Sequence, residues 1–183
     1  MSAVLENEGD TGLAFVTMGL GWDPVGGRWL GGGKPDIDLN AAAVLFAGES
    51  LVDVVYHEQL MSEDGSVRLL GDSTTGAGEG DDEVITVDLT RLTPTVTAVI
   101  FIVTSYSGQP FEQIGNAFCR LVDGMNGIEF ARYELDGGHG ATGFVMGTLT
   151  RSPRGLWQYR PIAETMQAKH PVEAVPQLAP YLV

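Results

Sequence analysis

Apolar residues in this chain come in short runs of four to ten, rich in Val, Ile, Phe and Thr and cut apart by Gly, Asp and Pro. They are Leu13–Leu20, Ala43–Phe46, Leu51–His57, Val84–Leu89, Thr97–Tyr106, Phe118–Val122, Ile128–Leu135, Phe144–Leu149 and Leu156–Arg160. No window keeps the i, i+3, i+4, i+7 spacing for three turns, so a framework of long helices is excluded. Val84–Leu89 alternates Ile85, Val87 and Leu89 against Val84, Thr86 and Asp88, the pattern of a half-buried strand. Thr97–Tyr106 is apolar throughout and β-branched, as a central strand is; in Ile128–Leu135 the alternation breaks near Ala131. About nine strands without crossover helices predict an all-β fold, an antiparallel β-sandwich. Short helices are expected only over Phe111–Cys119 and Ala163–Lys169, and the tail from Pro171 reads as an extended appendage. A chain of 183 residues suits one domain, assigned to 1–165, with a C-terminal extension over 166–183.

Charge narrows the function. Acids number 24 against 10 bases, a net charge of −14. Residues 1–90 hold 17 acids and 3 bases and residues 91–183 hold 7 of each, so the whole excess lies in the first half. Such a surface excludes nucleic acid as a partner, because phosphate binding needs a basic patch, and favours something cationic. Cys119 is the single cysteine, so neither an internal disulfide nor a CxxC metal site is possible. The start of the chain shows no basic and apolar leader, and the longest apolar stretch, Ala98–Val103, is far too short to span a membrane; a cytoplasmic location is expected.

The excess acid is concentrated in two places. Asp36-Ile37-Asp38-Leu39-Asn40 alternates oxygen-bearing and apolar side chains, so on a strand Asp36, Asp38 and Asn40 share one face. The segment Gly71–Glu83 carries five acids (Asp72, Glu79, Asp81, Asp82 and Glu83) among glycines, with no base. Such a loop is either a solvated connection between strands or a cation site. A cation site built only of oxygens, with backbone carbonyls in reach, is what Ca²⁺ prefers, and no soft ligand accompanies the acids to suit Zn²⁺ or Cu²⁺. An EF-hand is rejected: Asp72 and Glu83 stand at positions 1 and 12, but Thr74, Gly76 and Ala77 stand at 3, 5 and 6. Asp23, whose loop precedes Asp36, is a further candidate beside the cluster.

Gly19-Leu20-Gly21-Trp22-Asp23, Asp36-Ile37-Asp38-Leu39-Asn40-Ala41, Ser62-Glu63-Asp64-Gly65-Ser66-Val67 and Gly71-Asp72 with Thr75-Gly76 and Gly78–Glu83 follow one another in order. With Phe111, Asn116-Ala117-Phe118 and Glu129-Phe130-Ala131-Arg132-Tyr133, this series resembles the TerD family of tellurium-resistance and calcium-binding stress proteins over roughly residues 13–160. The resemblance implies a C2-like sandwich that binds Ca²⁺, two adjacent ions, at one end. It carries the ligand role to Asp36, Asp38, Asp72, Gly76 through its carbonyl, Glu79, Asp81, Asp82 and Glu83. Asn40 stands where the family has a third Asp, and Ser73 where it has Asn, so one negative charge is lost.

Other motifs carry less. His57-Glu58-Gln59-Leu60-Met61 begins like HExxH but lacks the second His, and the chain has only His57, His139 and His170. Gly71–Thr75 misses the nucleophile elbow, Cys119 reads as a small core residue, and Asp72 with Glu79 or Asp82 makes a poor acid–base dyad. Trp22 reads as core and Trp29 as a loop residue near the acidic end. The expected function is a non-enzymatic Ca²⁺-binding stress-response protein whose acidic loops order on Ca²⁺ and face an unknown protein partner. The alternative is a C2-like module bridging Ca²⁺ to anionic membrane lipid, with peripheral contact only.

Overall fold

Ten antiparallel strands, stacked as two five-stranded sheets, make up most of the computed structural model, which describes residues 12–23, 37–71, 81–137 and 140–182. In chain order they are β1 (Phe15–Gly21), β2 (Leu39–Ala47), β3 (Ser50–Val55), β4 (Val67–Leu70), β5 (Glu83–Asp88), β6 (Ala98–Ser105), β7 (Phe118–Asp123), β8 (Glu129–Glu134), β9 (Gly143–Arg151) and β10 (Trp157–Met166). One sheet runs β4-β5-β1-β7-β8 and the other β10-β9-β6-β2-β3. The all-β sandwich expected from the run pattern is the fold observed.

Alternation decides which side chains meet. From β2 and β6, Leu39, Ala41, Ala43, Val99, Phe101 and Val103 join Met18, Ile85 and Leu121 of the opposite sheet in the core between the layers. The intervening Ala42, Val44, Ile100 and Ile102 form a second apolar cluster on the outer face, covered by Ala168, Ala174 and Leu178. Burial on both faces explains why β6 is apolar throughout, and it is the central strand of its sheet. β5, buried only at Glu83, Ile85 and Val87, shows the expected half-buried alternation. The break near Ala131 is a register shift in the β7–β8 pairing, between Leu121 paired with Ala131 and Val122 paired with Glu129.

Three local expectations are corrected. Phe111–Cys119 forms only a 3-10 turn, Phe111–Gln113, before β7 begins at Phe118. Ala163–Lys169 is not helical: β10 runs on to Met166 through a register shift between Pro161 and Glu164, where Ala163 takes φ 55. The tail is not extended either. Helix α1 (Pro171–Ala174) and a 3-10 segment (Val175–Tyr181) fold back onto the sheet, burying Pro171, Ala174 and Leu178. Their apolar spacing is too short to register as helical period, and the sheet face supplies the stability that propensity does not.

Candidate metal centre

The acidic segments are brought to one end of the sandwich by strand register. Gly21 pairs with Phe118 and Leu20 with Glu83, and in the other sheet Leu39 pairs with Ser105, so β1, β2, β5, β6 and β7 all begin or finish there. Glu83 is fully buried, and its Oε2 accepts the Ala41 N–H at 2.7 Å, which ties the two sheets together at that end. The bond lies beyond the last β2–β3 pair, Ala43 with Val55. Asp82 is fixed by its backbone, N–H to the Leu20 carbonyl at 2.7 Å, and by its carboxylate, which accepts the Trp22 N–H at 3.0 Å. Trp22 is core, 3% exposed, and its ring N–H donates to the Ile37 carbonyl at 3.1 Å. One tryptophan therefore holds both the Asp82 loop and the entry to β2.

Asp23 follows directly and is exposed. Its N–H donates to the Gly115 carbonyl at 2.8 Å, and its carboxylate accepts from the Asn116 amide at 2.7 Å. Asp38 precedes β2, half-buried, with its N–H on Ser107 Oγ and its carbonyl taking the Tyr106 N–H, both at 2.9 Å. Asp81 has a different neighbour. Arg120 of β7 holds it through Nη2 at 2.7 Å and Nε at 3.0 Å, directly over Gly19 of β1. A Cβ at Gly19 would collide with that carboxylate, so glycine is required where the acid crosses the strand. Asp36, Asp72, Gly76, Glu79 and Trp29 lie outside the described residues.

The electrostatics follow from the crowding. Burial pushes the Asp82 carboxyl above its ordinary value, and the charges of Asp81 and Asp23 add to the rise, against the Trp22 N–H, which opposes it. Charge repulsion of this kind is what a bound cation relieves. Asp23, Asp38, Asp82 and Glu83 offer only oxygen, a hard donor set that fits Ca²⁺. Asn40 is buried on the outer face of its sheet, and its Nδ2 has no partner among the described residues. Burial pushes the Cys119 thiol up, with Glu134 adding to the rise, so this side chain belongs to the core.

The acids are evident from residue type alone; the groups that position them are not. Arg120 is the one base in the apolar run of β7, and that was a usable signal; its reach to Asp81 depends on β1 lying between β5 and β7. Asn116, with φ 50, is placed by the turn before β7.

An antiparallel β-sandwich with an oxygen-rich end, tied by a buried glutamate between sheets, is the class of protein defined by this geometry. Residues 3–171 match the model of the TerD domain, and the chain belongs to that family. It is 40% identical over 164 residues to the tellurium resistance protein TerZ of Serratia marcescens, covering 86% of this chain and 83% of that one. The stress response protein SCP2 of Bacillus subtilis (strain 168) is 36% identical over 171 residues, with 86% and 85% covered. The crystal structure of a homologue of telluride resistance protein from Streptomyces coelicolor A3(2) superposes with a TM-score of 0.81 at 26% identity, over 92% of this chain and 98% of that one.

Proposed function

We propose that this chain is a non-enzymatic Ca²⁺-binding protein of the stress-response and tellurium-resistance type, whose acidic end orders on the ion and presents a surface to a protein partner. The observation that carries the reading is that strand register brings Asp23, Asp38, Asp82 and Glu83 to the same end of the sandwich, with Asp82 held above its ordinary pKa by burial and by the charges of Asp81 and Asp23. The described carboxylates do not by themselves close into a metal-sized group, so Asp36, Asp72 and Glu79 are needed to complete it. Asp36, Asp38, Asp72, Gly76, Glu79, Asp82 and Glu83 would hold the ion, with Asp23 at the rim. Asp81 is engaged by Arg120 and anchors the end of the acidic loop on β1 and β7. Bound Ca²⁺ supplies the positive charge that lets these carboxylates stay ionised side by side. The names of the relatives, tellurium resistance and stress response, support the same role.

Calorimetric titration of Ca²⁺ into EDTA-stripped protein tests the proposal. Saturable binding is expected, with a rise in Tm that grows with free Ca²⁺ by mass action. Asp38→Asn and Asp72→Asn should each weaken it by about tenfold or more, since a metal site loses about that much even with an outer partner. No heat and no change in Tm would overturn the reading. Calcium-dependent co-sedimentation with phosphatidylserine vesicles would replace the protein partner by a lipid one.

A further inference from the structure

The turn after β3 carries two ligand-type side chains at its tip. Tyr56 and Gln59 exchange both backbone hydrogen bonds, at 3.0 and 2.9 Å, so His57 and Glu58 are the central pair of a tight turn. His170 arrives from the start of α1 and packs on the same turn, its ring centroid 5.3 Å from Tyr56 and 5.7 Å from His57. Glu58 lies between the two imidazoles, with Oε1 3.8 Å from His57 Nε2 and Oε2 3.6 Å from His170 Nε2. One ligand atom from each of the three residues falls within a 4.8 Å span. Tetrahedral coordination at about 2.1 Å sets ligand atoms about 3.4 Å apart, so side-chain movements of about an ångström close the set.

We propose that His57, Glu58 and His170 bind a transition-metal dication of the zinc class, which clasps the C-terminal segment to the β3 turn. Two imidazoles and one carboxylate suit Zn²⁺ and its neighbours and are not the hard-oxygen set that Ca²⁺ takes. The second histidine absent from the His57–Met61 string is supplied from position 170 by the fold. The imidazoles are 17% and 27% exposed and Glu58 57%, which leaves a coordination position open to water. Tyr56 donates its hydroxyl to Glu58 Oε2 at 2.9 Å and orients the carboxylate.

The imidazoles lack such backing. Among the described residues the buried His57 Nδ1 has no hydrogen-bond partner, and His170 Nδ1 accepts the Val172 N–H at 3.1 Å, capping α1. With that cap in place, neutral His170 carries its proton on Nε2; ligation through Nε2 moves the proton to Nδ1 and opens the cap. Missing backing groups cost a metal site about 10–100-fold each, so micromolar, exchangeable binding is expected rather than a closed structural site.

The test uses the full chain in excess Ca²⁺, which keeps the acidic loops out of the measurement. Zn²⁺ is titrated by calorimetry, Co²⁺ is followed by its visible bands, and long-range ¹H–¹⁵N spectra report the ring protons. One saturable Zn²⁺ is expected, with His170 changing from the Nε2–H to the Nδ1–H form on binding. His57→Gln should weaken binding by about 100-fold or more and Glu58→Gln by about tenfold or more, since losing a ligand costs at least as much as losing an outer partner, about 10–100-fold. Glu58 is exposed at the turn tip, so its variant tests the site even if the histidine variants fail to fold. Absence of saturable Zn²⁺ binding, binding unchanged in Glu58→Gln, or binding lost in His139→Gln instead would overturn the assignment.

Discussion

At the scale of single residues, the acidic end is arranged against its own charge. Asp82 has a folded-state pKa raised by burial and by Asp81 and Asp23. The folded protein therefore holds the extra proton, and the stability Asp82 contributes is present at low pH and lost as pH rises through the raised value. In EDTA at pH 7, Asp82→Asn should melt a few degrees above the native chain, at about 2–4 °C per kcal/mol for this size. The gap should close as pH falls below the ordinary carboxylate value of 3.8. A variant that melts lower than the native chain under those conditions would show that the Trp22 N–H, at 3.0 Å, outweighs the repulsion. The acids themselves were legible, because residue type and charge are written in the sequence. Their partners were not: Arg120 reaches Asp81 only because β1 carries a glycine between them, a relation of three strands that no spacing encodes.

At the scale of elements, the string Ser62-Glu63-Asp64-Gly65-Ser66-Val67 turns out to be a structural device. Asp64 accepts from Ser62 Oγ at 2.8 Å, Ser66 N–H at 2.9 Å and Thr93 N–H and Oγ1 at 3.0 and 2.9 Å, and so ties the turn before β4 to the loop before β6. Burial acts to raise its pKa, but the bonds from Ser66, Ser62 and Thr93 outweigh it and hold the carboxyl well below the usual range. A depressed acid stabilises above its unfolded pKa and loses that contribution as pH falls through the folded value. Asp64→Asn should thus cost about 1–3 kcal/mol at pH 7, read from the urea midpoint. The loss should shrink only below the ordinary value of 3.8, and an unchanged midpoint at pH 7 would remove Asp64 from this role. Strands of six or more residues were legible from their apolar runs; β4 was not, since Val67–Leu70 is four residues with Arg68 exposed. Ala163–Lys169 was misread as a short helix because its first four residues finish a strand that is bent at the register shift between Pro161 and Glu164, which hides the alternation.

For the whole molecule, the outer face of one sheet depends on the C-terminal segment. Leu178 is fully buried there against a cluster that includes Ala42, Val44, Ile100, Ile102 and Val145. Leu178→Ala should cost about 2–5 kcal/mol, the range for emptying a core leucine site, and should increase binding of an apolar dye to the folded protein. A loss within about 0.5 kcal/mol, the scale of a surface change, would mean that the segment rests on the sheet without holding it. Synthesis gives the same arrangement a temporal side. Ribosomes add about 5–20 residues each second, so Val44 and Ile102 emerge several seconds before the residues that shield them. Through that interval a growing chain shows an apolar sheet flank to the cell. Chaperone capture, or mispairing with a neighbouring nascent chain, is the natural hazard of a fold whose cover is made after the sheet it shields.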